Sequence, residues 1–228
     1  MKFSPDSYVF FEWSWGSINA TIVITWFEML ILVGGSWLVT RKLSSGIKMS
    51  RWQNLLEVLV GGISHHIEEI TNRKSGPFLP FVGTLFIFIL FSNVLGVVPF
   101  YIPPTGSIST TTALALCVFV AVPYFGVSTQ SLSSYLKEYA KPTMLMLPFN
   151  ILGEISRTFA LAVRLYGNIL SGIVIGVVLL IIVPLFFPVV MHLLGLLTGA
   201  IQAYIFALLA MVYIASAMKR REDKQAGI

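Results

Sequence analysis

One stretch of this sequence, residues 158–172, reads Thr-Phe-Ala-Leu-Ala-Val-Arg-Leu-Tyr-Gly-Asn-Ile-Leu-Ser-Gly, and the chain continues apolar to residue 183. Arg164 therefore lies within a segment long enough to cross a membrane. A guanidinium keeps its proton, and its burial in a bilayer costs from about 2.5 to about 17 kcal/mol, depending on how much water and snorkelling relieve it. A fixed charge at this position predicts a functional role and a negatively charged partner.

The composition around this stretch is that of a membrane protein. The 228 residues are 56% apolar and 11% charged, whereas about a quarter of the residues are charged in ordinary soluble domains. This length leaves room for five or six spans, so we expect a single membrane domain over residues 1–228 and no soluble catalytic module. The net charge is +5, and most of the basic residues lie where the predicted membrane topology places cytoplasmic segments. The charge therefore gives no reason to expect nucleic acid binding.

Apolar runs and turn residues divide the chain into six predicted helices. The expected fold class is an all-α integral membrane protein with about five membrane-crossing helices and one interfacial amphipathic helix. The amphipathic helix carries the polar residues Glu57, His65, His66, Glu68 and Glu69 between apolar residues at helical spacing. The predicted ranges are 18–39 for the first span, 49–72 for the interfacial helix, 79–98 and 110–131 for the next two spans, and 143–183 and 189–218 for the last two helices.

The last two predicted helices are unusually long. About forty residues extend about 60 Å at the α-helical rise, twice a hydrocarbon core of about 30 Å, so we expect long, strongly tilted helices. Arg164 falls near the middle of the first of them and Gln202 near the middle of the second. Two antiparallel tilted helices joined by a short turn place these two side chains at a similar depth.

The basic residues predict the orientation. They fall on one side if each apolar region crosses once, with Lys2 opposite and Arg157 and Arg164 inside the fourth region. This distribution predicts an N-terminus outside and a cytoplasmic C-terminus. The residues on the predicted cytoplasmic side are Arg41, Lys42, Lys48, Arg51, Arg73, Lys74, Lys137, Lys141, Lys219, Arg220, Arg221 and Lys224.

A polar stripe follows the fourth apolar region at three- and four-residue spacing, and it faces either a water-filled pathway or polar groups on a neighbour. Glu154 and Arg157 have the alternative of pairing with each other near the interface. Arg164 has no acid one turn away on this face, so we expect a partner that is transient or on another chain. The stripe consists of Glu154, Arg157, Leu161, Arg164, Asn168 and Ser171.

Small residues close to Arg164 thin the surface of the same helix. Gly167, Gly172 and Gly176 lie within a few turns of it. Small side chains let a second helix approach closely. That second helix belongs either to another chain or to this chain's own last helix.

Four further polar side chains fall within apolar segments. Glu28, in the first span, is expected to be neutral unless it is solvated or paired, and it is either a proton-relay group or a hydrogen-bonded structural carboxyl. Asn93 and Gln202 can hydrogen-bond helices together. His192, near the outer end of the last helix, either titrates or contacts headgroups.

The sequence offers no motif for bond-making chemistry. His-His-Ile-Glu-Glu at residues 65–69 lacks the spacing of a zinc metalloprotease, and neither a Gly-x-Ser-x-Gly elbow nor a glycine-rich phosphate loop occurs. We therefore expect no catalytic residues, no cofactor and no metal site in this chain. Its residues point to charge handling.

Arg-Leu-Tyr-Gly-Asn at 164–168 and Gln-Ala-Tyr-Ile-Phe at 202–206 closely resemble subunit a of F-type ATP synthases. Residues 88–99, residues 104–111 and the region from Pro148 through Glu154 to Arg157 follow the pattern of the same family in the same order. The resemblance implies a non-catalytic stator subunit, with ATP chemistry on other chains. It also implies a bacterial or archaeal plasma membrane and three partners: a ring of small hairpin rotor subunits (subunit c), the peripheral stalk subunit b and the lipid bilayer.

The resemblance implies an ion-translocation role for Arg164. It would attract the mid-membrane carboxylate of each passing ring subunit and block direct ion flow between two offset half-channels. Asn168 and Gln202 would orient the arginine and line the water-accessible path. The full candidate set is Arg164, Asn168, Gln202, Glu154, Arg157, Glu28, His192 and Asn93.

The sequence departs from the common family pattern along the outer path. Many members of the family have an acid five residues after the asparagine and a partner for it seven residues before the glutamine, and these positions are Ile173 and Gly195 here. The loop acid is also replaced, with Ser107 as the nearest polar residue. Glu28 and His192 are the candidate substitutes, and the coupling ion, proton or sodium, stays open.

Two other functions compete with this one. An independent secondary transporter would use Arg164 to bind an anionic substrate, and it predicts broken helices or an internal repeat, neither of which is evident in the sequence. A structural membrane scaffold predicts that Arg164→Leu is tolerated.

Overall fold

The computed structural model describes residues 9–13, 16–41, 51–71, 75–98, 101, 103–129, 146–182 and 187–219. Within these ranges the chain forms six α-helices, a short 3₁₀ segment (Pro104–Gly106) and a two-stranded hairpin. Each predicted helical range overlaps one of the helices, with ends that differ by a few residues. The helices are α1 (Ala20–Thr40), α2 (Arg51–Thr71), α3 (Leu79–Leu95), α4 (Ile108–Thr129), α5 (Met146–Ile182) and α6 (Phe187–Lys219).

The prediction of an all-α membrane protein is confirmed. Four helices, α1, α4, α5 and α6, are long and apolar enough to cross a membrane. The 17 residues of α3 form a shorter apolar helix at the lower end of the spanning range. The chain is thus a multi-pass membrane protein with one amphipathic helix, α2, between its first two apolar helices.

The single-domain assignment, the tilt of the last two helices and the orientation stay predictions. Many of the basic residues that predict the orientation, and the predicted turn before α6, lie outside the described residues. These are Lys2, Lys42, Lys48, Arg73, Lys74, residues 130–145 with Lys137 and Lys141, residues 183–186, and Arg220, Arg221 and Lys224.

A short hairpin before α1 was not predicted from the sequence. Strand β1 (Val9–Trp13) pairs antiparallel with β2 (Gly16–Asn19), and the register shifts between Val9 and Phe11. The strand Val-Phe-Phe-Glu-Trp is rich in residues that favour a pleated surface. α1 begins directly after β2, so the hairpin lies at one end of the first span.

The core is organised around α6, which packs against α3, α4 and α5. Ala203, Phe206, Ala210 and Ile214 recur at three- and four-residue spacing on its inner face and are fully buried. The alanines on this face let the neighbouring helices approach closely. α2 packs on α3 and α6 through Ile67 and its neighbours.

The long helix α5 has the least covered apolar surface of the four spanning helices. In the apolar stretch of α5 only 6% of the residues are buried, whereas 33% are buried in the corresponding stretches of α4 and α6. Its buried residues are Leu161, Ala162 and Leu165, which form one narrow strip against the core. Most of α5 therefore faces lipid or another chain.

The connection between α3 and α4 folds into the bundle. Pro104, Thr105 and Gly106 are buried, and the 3₁₀ segment contacts α1, α3, α4 and α5. A Cβ added to Gly106 would lie 3.2 Å from Ile169 Cγ2 and 3.7 Å from Ile173 Cδ1, so α5 packs directly on this turn. Turn residues predicted this connection, but not its burial.

Candidate functional site

The predicted polar stripe on α5 lies along the edge of the helix's buried strip. At about 100° per residue, Leu161 lies about 20° around the helix from Glu154, whereas Arg164 lies about 80° from it. Burial follows this rotation: Leu161 is buried, Glu154 is half-buried and Arg164 is exposed. The side chains of the stripe therefore differ in exposure, and whether they face a water-filled pathway or polar groups on a neighbour stays a prediction.

The Arg164 side chain projects from the uncovered part of α5. It forms no hydrogen bond and no ion pair with any residue that the structure describes. Ser171, two turns further along, is also exposed, and Asn168 between them is half-buried. The guanidinium is consequently available to a partner outside the described chain.

The first part of α5 borders a small cavity that it shares with α4 and α6. Glu154, Arg157 and Thr158 line it from α5, and Tyr213 lines it from α6. The Arg157 guanidinium carbon lies 5.7 Å from the centre of the Tyr213 ring, within the range of a cation–π contact. Arg157 thus has an aromatic neighbour on another helix, in addition to the acid on its own.

Asn93 joins α3 to α6 and to the 3₁₀ segment. Its Nδ2 donates to the Gly199 carbonyl at 2.9 Å, and its Oδ1 accepts from the Thr105 hydroxyl at 2.9 Å. The Thr105 hydroxyl also lies 3.4 Å from the Ser92 hydroxyl. These groups are buried, so their hydrogen bonds satisfy polar atoms that lipid could not.

Glu28 is the acidic side chain of α1 and is fully buried. Its Oε1 accepts a hydrogen bond from the Tyr101 hydroxyl, and its Oε2 has no hydrogen-bond partner among the described residues. Burial and the neighbouring Glu28 carboxyl raise the pKa of the Tyr101 phenol, so this hydroxyl is a neutral donor. The structure therefore turns an isolated candidate into part of a contact between α1 and the loop after α3.

Gln202 and His192 occupy different environments on α6. Gln202 is 6% exposed, and its Nε2 has no hydrogen-bond partner in the described part of the chain. His192 is exposed near the start of the helix. No described hydrogen bond joins Gln202 to Arg164, although α5 and α6 pack against each other.

The structure groups the candidates unequally. It brings Asn93 to within one turn of Gln202, because Gly199 precedes Gln202 by three residues. It places Glu154 and Arg157 at one cavity. Arg164 and His192 are exposed and belong to neither group.

Sequence reasoning missed Tyr101, Ser92 and Thr105 as members of the site. Each lies in or beside the loop between α3 and α4. Tyr101 contacts Glu28 of α1, and Thr105 contacts Asn93, which in turn bonds to α6. A sequence signal was present in the density of hydroxyl residues around 105–111. This segment joins two apolar spans and contains hydroxyl groups but no charged residue, a composition that is compatible with burial.

The chain has four apolar helices long enough to cross a membrane, an exposed arginine on one of them and buried polar side chains between its helices. These features define a multi-pass membrane protein with polar groups inside its helical bundle. The sequence matches the family model described as ATP synthase A chain over residues 22–215. The chain belongs to this family.

Relatives match along nearly the whole chain. "ATP synthase subunit a 2" of Acaryochloris marina is 58% identical over 217 residues, which cover 95% of this chain and 93% of the relative. "ATP synthase subunit a" of Albidiferax ferrireducens is 57% identical and covers 98% of this chain and 97% of its own. "ATP synthase subunit a 1" of Chlorobaculum parvum is 56% identical, with 97% and 98% covered.

Proposed function

We propose that this chain is the ion-translocating stator subunit of a rotary F-type ATP synthase. In each transport step Arg164 attracts the ionised carboxylate of a rotor-ring subunit. The observation that carries this proposal is the exposed Arg164 guanidinium, which has no partner among the described residues. A fixed charge at membrane depth needs a counter-charge, and a carboxylate on another chain supplies it transiently.

Asn168 and Gln202 assist Arg164 in this proposal. Asn168 lies one turn from Arg164 on the same helix, where its half-buried amide can orient the guanidinium. Gln202 contributes a buried amide Nε2 that is free to donate to a passing ion's water or to the ring carboxylate. A fixed arginine between two paths also prevents direct ion flow from one to the other.

Two offset half-channels deliver the ion to the ring and remove it. The cavity lined by Glu154, Arg157 and Tyr213 supports an inner path, because the positive-inside distribution assigns the start of α5 to the cytoplasmic side. His192 near the start of α6 is a candidate at the opposite, outer end. Asn93 lies between, beside Gln202.

The uncovered surface of α5 supports the proposed contact with a rotor ring. A Cβ added to Gly167, Gly172 or Gly176 would have no described atom within 4 Å, so the helices that the structure describes do not occupy the space above these glycines. A helix from a ring of small hairpin subunits (subunit c) can approach closely here. The peripheral stalk subunit b, the lipid bilayer and a bacterial plasma membrane complete the proposed setting, with an outside N-terminus, a cytoplasmic C-terminus and ATP chemistry on other chains.

Tilted long helices fit this role. α5 has 37 residues, and a helix of that length extends about 56 Å at the helical rise, well beyond a hydrocarbon core of about 30 Å. A strong tilt keeps both α5 and α6 in the membrane and spreads their surface along the ring. The carried ion is a proton or a sodium ion.

ATP-driven ion pumping by the reconstituted complex tests the proposal. Arg164→Ala and Arg164→Lys should assemble but lose coupled pumping by two orders of magnitude or more, with Lys no better because its point charge replaces the planar fork. Arg41→Ala, which removes an exposed arginine at the end of α1, is the matched control and should pump normally. Full coupled pumping by Arg164→Ala would overturn the proposal, and substrate transport by the purified chain alone would support a secondary transporter.

A further inference from the structure

The Glu28 carboxyl is enclosed by the bundle, and no residue in the described part of the chain gives it a counter-charge. It is 0% exposed, and one of its two oxygens lacks a hydrogen-bond partner in the described residues. Among the described residues, Tyr101 is the titratable side chain that contacts Glu28, and no described cation faces the carboxyl. A bare carboxylate is unstable in such surroundings, so the group must hold a proton or another cation.

Among the described residues, the polar groups around Glu28 offer oxygen atoms. The Tyr101 hydroxyl donates to Glu28, and the Ser92 hydroxyl lies beside both side chains. Ser92 in turn faces the Thr105 hydroxyl at 3.4 Å. Hydroxyl groups both donate and accept hydrogen bonds, and their oxygens are ligands for hard cations. This environment therefore suits a group that repeatedly takes up and releases a small cation.

The hydroxyl groups lead from α1 toward the ring-facing helices. Thr105 is fixed by Asn93, which is fixed by the Gly199 carbonyl on α6, one turn from the unpartnered amide of Gln202. On its other side the same 3₁₀ segment packs on Ile169 of α5, the residue after Asn168. The line thus begins at Glu28 and ends between the two helices that carry the proposed rotor-facing residues.

We propose that Glu28 is the cation-accepting carboxyl of the outer half-channel, and that Tyr101, Ser92 and Thr105 form its lining. This inference rests on the proposed stator function. The occupant is a monovalent cation, H⁺ or Na⁺. If it is H⁺, the neutral carboxyl releases its proton toward the ring carboxylate and regains one from outside water. If it is Na⁺, the carboxylate and neighbouring oxygens hold the ion between the same two steps.

Glu28→Gln separates titration from structure. The amide keeps the shape and an oxygen that accepts from Tyr101, but it takes up no proton in the working pH range and has no negative charge to balance a bound Na⁺. Pumping per assembled complex should fall at least tenfold in Glu28→Gln and recover partly in Glu28→Asp, which keeps the carboxyl. Glu57→Gln, a change to an exposed acid on α2 that accepts from Gln53, is the matched control and should pump normally.

Carbodiimide labelling of Glu28 in the intact complex identifies the cation. Labelling that falls when Na⁺ is added at constant pH supports a sodium site. Labelling that increases as the pH falls and ignores Na⁺ supports a proton site. Normal pumping by assembled Glu28→Gln would overturn the inference, as would labelling that responds to neither cation. If that normal pumping accompanies an inactive Arg164→Ala, the stator function stands and the Glu28 assignment alone fails.

Discussion

Gly199→Ala should separate α3 from α6 at the point where Asn93 joins them. A Cβ at this position would lie 2.9 Å from Asn93 Cβ and 3.3 Å from its Cγ, distances at which one helix must move. The closest atom is Asn93 Cβ, which cannot rotate away because it is attached to the backbone. The substitution therefore strains the helix pair and the 2.9 Å bond from Asn93 to the Gly199 carbonyl.

The magnitude follows from two opposing effects. Overpacking of a fitted site costs about 1–3 kcal/mol, and loss of the interhelical hydrogen bond adds about 0.6–1 kcal/mol. Alanine gains up to about 1 kcal/mol over glycine inside a helix, which hides part of this cost. Gly195→Ala has the same gain and no strain, because no atom of the described residues lies within 4 Å of its added Cβ. The difference between the two variants should be about 2–4 kcal/mol.

Thermal stability of the purified complex measures this difference. For a chain of this size about 1 kcal/mol corresponds to about 2–4 °C, so Gly199→Ala should lose this subunit at a temperature roughly 5–15 °C below Gly195→Ala. Both variants keep every ionisable group, so the comparison isolates the α3–α6 contact. Equal temperatures for the two variants would refute the close approach of Asn93 to Gly199.

Two further predictions concern Gln202 and Tyr213 of α6, with Gln53 of α2 as the comparison for Gln202. The amide Nε2 of Gln202 is buried and has no partner among the described residues, and such a group destabilises the fold by about 1–3 kcal/mol. Gln202→Met removes it, so the melting temperature should rise. Pumping should fall, because the proposed role of the amide is lost. Gln53→Met removes an amide that donates to Glu57, so it should lower the melting temperature. A change of the same sign in the melting temperatures of the two variants would contradict this prediction. Tyr213→Leu removes the ring face beneath Arg157 and should destabilise by about 0.5–1 kcal/mol, whereas Tyr213→Phe keeps the ring and the stability. Equal losses in the two Tyr213 variants would exclude the cation–π contact.

The helices could be predicted because each leaves a long local signal. α5 follows from an apolar run with no break after Pro148, and α2 from polar residues interleaved with apolar residues at helical spacing. The absence of an acid near Arg164 on its own helix predicted an arginine without a local partner, and the described contacts agree. These features depend on residues within a few turns of each other.

The chain of polar contacts from Glu28 to Gly199 could not be predicted, because its members are distant in sequence. Glu28 meets Tyr101, and Asn93 meets Gly199, only after α1, α3 and α6 have packed. The unequal exposure along the stripe on α5 has a different cause. Three- and four-residue spacing follows a helix face only approximately, so across the stripe the direction drifts from the buried edge at Leu161 to the exposed Arg164.

Disulfide cross-linking in native membranes tests most directly whether Arg164 meets a carboxylate on another chain. In a Cys117→Ser background, Ala160→Cys places a thiol on the exposed side of α5 one turn from Arg164. Ile169→Cys is the matched control, because this residue faces Gly106 inside the bundle. Oxidation should join Ala160→Cys, but not Ile169→Cys, to a cysteine beside the ring subunit's carboxylate. Failure of Ala160→Cys to cross-link in an assembled complex would contradict the account.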